Sequence, residues 1–301
     1  MNVTTHALLL TGYAAAVATY APRILSRSSL PRRSPGFALA LWHTSIGSAG
    51  FAIGLAAVKL MSAVRFLPVG RSEPGESVFS VLEALTAVAT GLFLVICVSA
   101  RLVPAAAGVF RAHRNTRRRQ LDLLSLLGQH DPDLDATVIP APTAAAYCVA
   151  GTNQVVITEH AVEVLAPRQL DAVLAHERAH LTSRHYLLVG WVTLLVDAFP
   201  GVPPLTRLRE ATLNLVELMA DDRARQLVDG SSLATAIALL GRGTPYGNLA
   251  ATGGQTLLRV ERLLDPPPRR WSPVPIVIAV ATPLLIAVPL LLATSPADIV
   301  F

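Results

Sequence analysis

His176, Glu177 and His180 form the pattern His-Glu-x-x-His. Two histidines four apart on a helix stand one above the other on a single face, so their imidazoles can converge on one ion. Glu177 leaves the helix beside them, placed to act on a water bound to that ion. Two imidazole nitrogens, a metal-bound water and a neighbouring carboxylate base make up a zinc hydrolase centre, with Zn2+ as the implied cofactor. Such a zinc needs a third protein ligand and leaves the fourth position for water. Farther along, Glu217 and Asp221 lie four apart on a predicted helix over 208–228. Glu217 is the third ligand on this reading, with Asp222 and Glu210 as its competitors. Asp221, one turn later, can hydrogen-bond the distal ring nitrogen of a zinc-bound histidine and fix its orientation.

The elements around these residues are legible from turn and cap chemistry. Residues 136–139 read as a strand closed by Pro140 and Pro142. Residues 144–150 and 154–158 read as a β-hairpin, with Gly151 and Asn153 supplying the turn. Its first strand, Tyr147, Cys148, Val149 and Ala150, is an edge on which an extended peptide could be held by strand addition. Thr158 is an N-cap for a short helix, Glu159 to Leu165, and Pro167 opens the motif helix, which is expected to run to about His185. Residues 187–199 are apolar but short of the roughly 20 needed to span a bilayer. They read as a membrane-dipping helix.

Composition places this machinery at a membrane. Hydrophobic residues make up 52% of the 301 and charged residues only 15%, with mean hydropathy +0.50. A soluble domain carries about 25% charged residues. Net charge is +5, and Lys59 is the sole lysine among the basic residues. The arginines cluster beside apolar runs, as topology signals and contacts with anionic membrane lipids do, so no direct nucleic-acid partner is expected. Cys97 and Cys148 form no CxxC pair and no disulfide framework; both read as packing residues.

Three spanning helices are expected at about 7–25, 37–61 and 78–103, and a fourth near 274–293. A cleaved leader is disfavoured because no basic segment precedes the first run, whereas Arg23, Arg27, Arg32 and Arg33 follow it. With the arginines at 111–119, they put both termini outside and residues 104–270 in the cytoplasm as the candidate catalytic domain; 271–301 hold the last span and a short outer tail. The expected fold is mainly α: a multi-pass cell-membrane protein with four spans and a catalytic domain carrying a small hairpin or sheet.

The run from Ala175 to His185 followed by Glu217-Leu218-Met219-Ala220-Asp221 resembles the gluzincin-type membrane metallopeptidases. The span layout is similar to the M56 branch, the BlaR1/MecR1-like regulatory proteases, and makes that branch the first reading, with M48 second. The stretch from His176 to His185 and the hairpin are similar to the M48 branch, Ste24/HtpX-like. The resemblance implies His176, His180 and Glu217 as zinc ligands, Glu177 as base and then proton donor, and Asp221 behind a ligand. It also often has a histidine at the place of His185, here put beside the ligands. The M56 branch implies cleavage of a cytoplasmic regulator such as a BlaI-like transcriptional repressor. The M48 branch implies processing or quality control of membrane proteins. A departure from the M56 pattern is the short stretch after the last span, where those receptors carry a penicillin-binding sensor domain. The non-enzymatic alternative is a membrane receptor or scaffold with an inactive site. Arg242 and Tyr246 are the candidates for stabilising an oxyanion. Substrate identity and oligomeric state stay open.

Overall fold

The computed structural model describes residues 3–63, 78–241, 249–266 and 274–294. It is mainly helical, with one four-stranded sheet. Helix α1 (Val3–Arg27) and helix α3 (Pro35–Met61) are joined through the single turn α2 (Leu30–Arg33) and pack along their length. Leu10 and Ala14 meet Ala49, Ala52 and Ala56 there. Small residues let helices approach, and alanine and serine do so here: Ser45, Ser48 and Ala52 are buried. The glycines of α3 do not. A Cβ at Gly47, Gly50 or Gly54 would meet nothing within 4 Å. Between α3 and the helix after it, Gly91 permits close approach: a Cβ there would fall 2.8 Å from the Ala57 carbonyl oxygen.

Gly91 belongs to α4 (Val78–Leu127), a single helix of 50 residues. At 1.5 Å per residue it is about 75 Å long, far more than a bilayer needs. Residues 121–127, past the arginines, are the end of this helix. Pro104 does not break it; a proline costs one backbone hydrogen bond, and the neighbouring turns carry the helix through. The expected division at residue 104 therefore falls within a continuous rod.

Among the described residues, three helices are long and apolar enough to cross a membrane: α1, α3 and α4. The run expected as a fourth span forms α11 (Val274–Thr294), which packs against α3 and α1. Its contact is specific. Pro289 has no N–H, so the Leu285 carbonyl four residues earlier loses its helical partner. The Tyr13 hydroxyl donates to that carbonyl at 3.1 Å, and the Ser48 hydroxyl donates to it as well. The two hydroxyl oxygens are 2.8 Å apart, so either can instead donate to the other while its partner keeps the carbonyl. A backbone acceptor released by proline in α11 thus holds α1 and α3 to it.

After α4 the chain forms β1 (Gln129–Asp131), β2 (Ala136–Ile139), β3 (Ala146–Cys148) and β4 (Val155–Thr158), in sheet order β1-β2-β4-β3. The expected hairpin is β3–β4, antiparallel, with Tyr147 opposite Val156; β2 lies parallel to β4. β1 had no signal in the sequence beyond three polar residues. Then come α5 (Glu159–Val164), α6 (Pro167–Thr182), α7 (His185–Ala198), α8 (Pro203–Ala224), α9 (Gly230–Gly241) and α10 (Leu249–Leu264). The Thr158 side chain caps α5 by accepting from the Ala161 amide. Val155 and Ile157 of the sheet pack with Leu170, Val173 and Leu174 of α6. On the other side of α6 lies α8, whose Leu208 and Leu215 share a core with Leu39 and Trp42 of α3 and Val192 of α7.

The Tyr13–Ser48–Leu285 junction gives a non-additive cycle. Tyr13→Phe with Ser48→Ala should destabilise the detergent-solubilised protein by about 1–2 kcal/mol. In a Pro289→Ala background, where residue 289 regains an N–H for the Leu285 carbonyl, the same pair should cost less than half as much. Equal costs in thermal unfolding of both backgrounds would refute the pairing.

Candidate metal centre

α6 buries Leu170, Val173 and Leu174 against the sheet and turns His176, Glu177 and His180 toward α8 and β3. It ends at Thr182 rather than running to His185 as expected. Arg184 adopts the left-handed region, φ 51° and ψ 41°, and α7 starts at His185. A non-glycine residue rarely takes that conformation. Here it turns the chain so that His185, buried at the start of α7, reaches back to His180 with Nδ1 to Nδ1 at 2.9 Å.

The ligand atoms converge. His176 Nε2 and His180 Nε2 are 3.2 Å apart. Glu217 Oε2 is 3.5 Å from His176 Nε2, and Glu217 Oε1 is 3.4 Å from His180 Nε2. Tetrahedral zinc with bonds of about 2.0–2.1 Å places its ligand atoms roughly 3.3 Å apart. The three residues match that spacing and form a candidate metal-binding group. Two imidazoles and one carboxylate are also the donor set that leaves zinc a position for water.

Each ligand has a partner behind it. Asp221 Oδ1 lies 3.0 Å from His176 Nδ1, close but off the line of a hydrogen bond, so the buried Nδ1 has no aligned acceptor. His185 faces His180 Nδ1. For His180 to ligate through Nε2, its Nδ1 must carry the proton and donate it to His185. Arg259 of α10 faces Glu217, with Nη1 to Oε2 at 2.8 Å. The same guanidinium donates through Nε and Nη2 to the two oxygens of Asp221, both at 2.8 Å.

These contacts set the charges. Burial disfavours a charged His176, but the neighbouring Asp221 and Glu217 carboxylates outweigh it and raise its pKa to about 9. Burial lowers His180 to about 4. Burial would raise Glu217 and Asp221, yet His176 and Arg259 bring both down to about 2. His180 is thus neutral and free to bind a metal at neutral pH, whereas His176 must first give up a proton. Burial pushes Glu177 up to about 7, with Glu217 adding to it. Burial, followed by the negative charge of the neighbouring Glu177, pushes the Cys148 thiol up to about 12.

Of the residues expected at the site, the structure gathers His176, Glu177, His180, Glu217, Asp221, His185 and Cys148. Asp222 instead accepts from Arg262 at 2.7 Å, and Glu210 is exposed. The strand residues divide. In the hairpin, Val149 N–H bonds the Gln154 carbonyl and Thr158 N–H bonds the Ala145 carbonyl. By the antiparallel alternation, Tyr147 also turns its backbone groups toward β4. The free edge therefore consists of Ala146 and Cys148, not of Tyr147 and Val149 as the expected stretch implied. Tyr147 packs instead near Leu124 of α4. Arg242 and Tyr246 lie outside the described residues. Arg259 was not foreseen: it sits on an amphipathic helix 42 positions after Glu217, and no local spacing ties it to the histidines.

In comparisons with known proteins, the model of peptidase family M48 matches residues 111–200. That segment carries the sheet, α6 with His176, Glu177 and His180, and α7; it stops short of Glu217. The match supports the M48 branch, and nothing supports the M56 branch that the span layout suggested. No curated protein and no solved structure was found to match the chain.

Asp221→Asn removes the negative charge behind His176 while keeping its shape. Zinc affinity, measured by competition with a chelator, should fall about 10- to 100-fold. Unchanged affinity would show that Asp221 does not support the ligand.

Proposed function

We propose that this protein is a membrane-anchored zinc metalloendopeptidase. The observation that carries this is the convergence of His176, His180 and Glu217 at zinc-ligand spacing with Glu177 beside them. When bound, zinc supplies a Lewis acid that polarises a scissile carbonyl and lowers the pKa of a water toward neutrality. Glu177, with its pKa raised to about 7, suits a carboxylate that takes a proton from water and delivers it to the leaving amine. The Cys148 thiol lies beside that carboxylate. Arg259 places a fixed positive charge beside the ligand atoms and positions Glu217 and Asp221. The free edge of β3 offers the backbone groups of Ala146 and Cys148 to an extended peptide, next to Glu177.

The substrate is a protein or peptide. The M48 match favours processing or quality control of membrane proteins. Cleavage of a cytoplasmic regulator, such as a transcriptional repressor, is the second reading, motivated by a domain held between spans whose flanking arginines point to the cytoplasmic face. Both readings take the termini to be outside and the metal centre to be cytoplasmic. Direct nucleic-acid binding has no part in either.

Glu177→Gln should retain zinc and lose proteolysis by at least a thousandfold against a reconstituted membrane-protein substrate. Loss of zinc in this variant, or retained cleavage, would count against the assignment of Glu177. Ala146→Pro removes an edge N–H at a position where the sheet does not use it. It should leave thermal stability nearly unchanged and lower kcat/KM about tenfold, the worth of one hydrogen bond. Unaltered kcat/KM would mean that substrate does not pair with β3.

A further inference from the structure

α4 has no charged side chain between Glu83 and Arg101. Just beyond that apolar length, one stripe of α4 and one face of α7 enclose an open groove of about 880 Å³. The α4 stripe follows helical spacing: Ala106, Val109 and Phe110, then His113 and Arg114, then Arg117 and Arg118. It therefore runs from apolar to basic as α4 leaves its apolar length. α7 lines the other wall with Leu187, Trp191 and Leu194. Phe110, Leu187 and Trp191 are half or more exposed, which is unusual for large side chains gathered in one place. Gly190 lets the helices close: a Cβ there would stand 3.4 Å from His113 Nε2. At the basic end, the Arg117 guanidinium approaches Gly151 at the tip of the β3–β4 turn. Among the described residues, no carboxylate pairs with Arg114, Arg117 or Arg118.

We infer that this groove is a binding site for one anionic phospholipid. Its phosphate would sit at Arg114, Arg117 and Arg118, and an acyl chain would lie along Phe110, Trp191 and Leu194. The direction of the gradient selects this occupant. A lipid at the edge of a membrane has its chain toward the apolar length of the helix and its anionic headgroup beyond it, and the groove presents apolar and basic walls in that order. A soluble anion would not need the apolar half, and a zwitterionic lipid would leave the arginines without net counter-charge. The inference rests on α4 lying in a membrane and not on peptidase activity, so either can fail without the other.

The test is native mass spectrometry of the full-length protein in detergent, with phosphatidylglycerol or phosphatidylcholine added. The wild type should retain phosphatidylglycerol at least tenfold better than phosphatidylcholine, and excess inorganic phosphate should not displace it. Arg114→Gln with Arg117→Gln should lower that retention about tenfold. Arg101→Gln with Arg119→Gln removes the same charge from the opposite face of α4 and should leave retention unchanged. Phe110→Ala, an exposed position that leaves the charge intact, should also weaken retention. Equal loss in the two arginine pairs, equal retention of the two lipids, displacement by phosphate alone, or no effect of Phe110→Ala would each overturn the site.

Discussion

Asp221 is 1% exposed and charged, and the site is arranged around keeping it so. A buried carboxylate with no partner is costly, and removing one member of a buried ion pair typically destabilises by about 3–5 kcal/mol. Arg259 meets this demand with two parallel N–H groups, the geometry in which arginine binds carboxylate best. Because the guanidinium is planar and forked, satisfying Asp221 fixes where its remaining nitrogen points, and that nitrogen reaches Glu217. Glu217 is therefore oriented by the same group that neutralises the carboxylate behind His176. α6, α8 and α10, distant in sequence, are held in register by one cation.

α8 works on two faces. Leu208 and Leu215 are buried against α3 and α7, while Glu217 and Asp221 face α6. The helix that carries the third ligand is packed directly on a helix long and apolar enough to cross a membrane. Met219 touches α3 near Gly36. A second tie comes from Arg262 of α10, which donates to Asp222 of α8 and to the Arg32 carbonyl in the link between α1 and α3. The candidate metal site is thus built onto the apolar helices rather than tethered to them.

The parts legible in the sequence were those governed by local rules. His176, Glu177 and His180 follow from helical spacing, Pro167 and Thr158 from cap chemistry, and the β3–β4 hairpin from its turn residues. Glu217 and Asp221 were singled out because the chemistry demanded a third ligand, not because their own surroundings marked them. What escaped depended on distant contacts. Arg259 looks like any polar position of an amphipathic helix until α10 is placed over α8. The end of α6 was misjudged because Arg184 carries no glycine signal for its left-handed turn. α4 was divided because Pro104 and the arginines resemble a boundary, whereas a helix can continue through both.

The hairpin joins the two halves of the molecule. On one side Tyr147 packs near Leu124 and the turn at Gly151 meets Arg117, so β3 is fitted to α4. On the other side Cys148, the next residue of the same strand, lies beside Glu177 of α6. Alternation along a strand forces this division: neighbouring side chains must point to opposite faces. The strand whose free edge borders Glu177 is thereby positioned by the long helix on its far face. Any displacement of α4 relative to α6 has to be absorbed by β3, since Tyr147 and Cys148 are adjacent residues with no slack between them. The geometry around Glu177 is in this way set from the apolar helices as well as from the metal ligands.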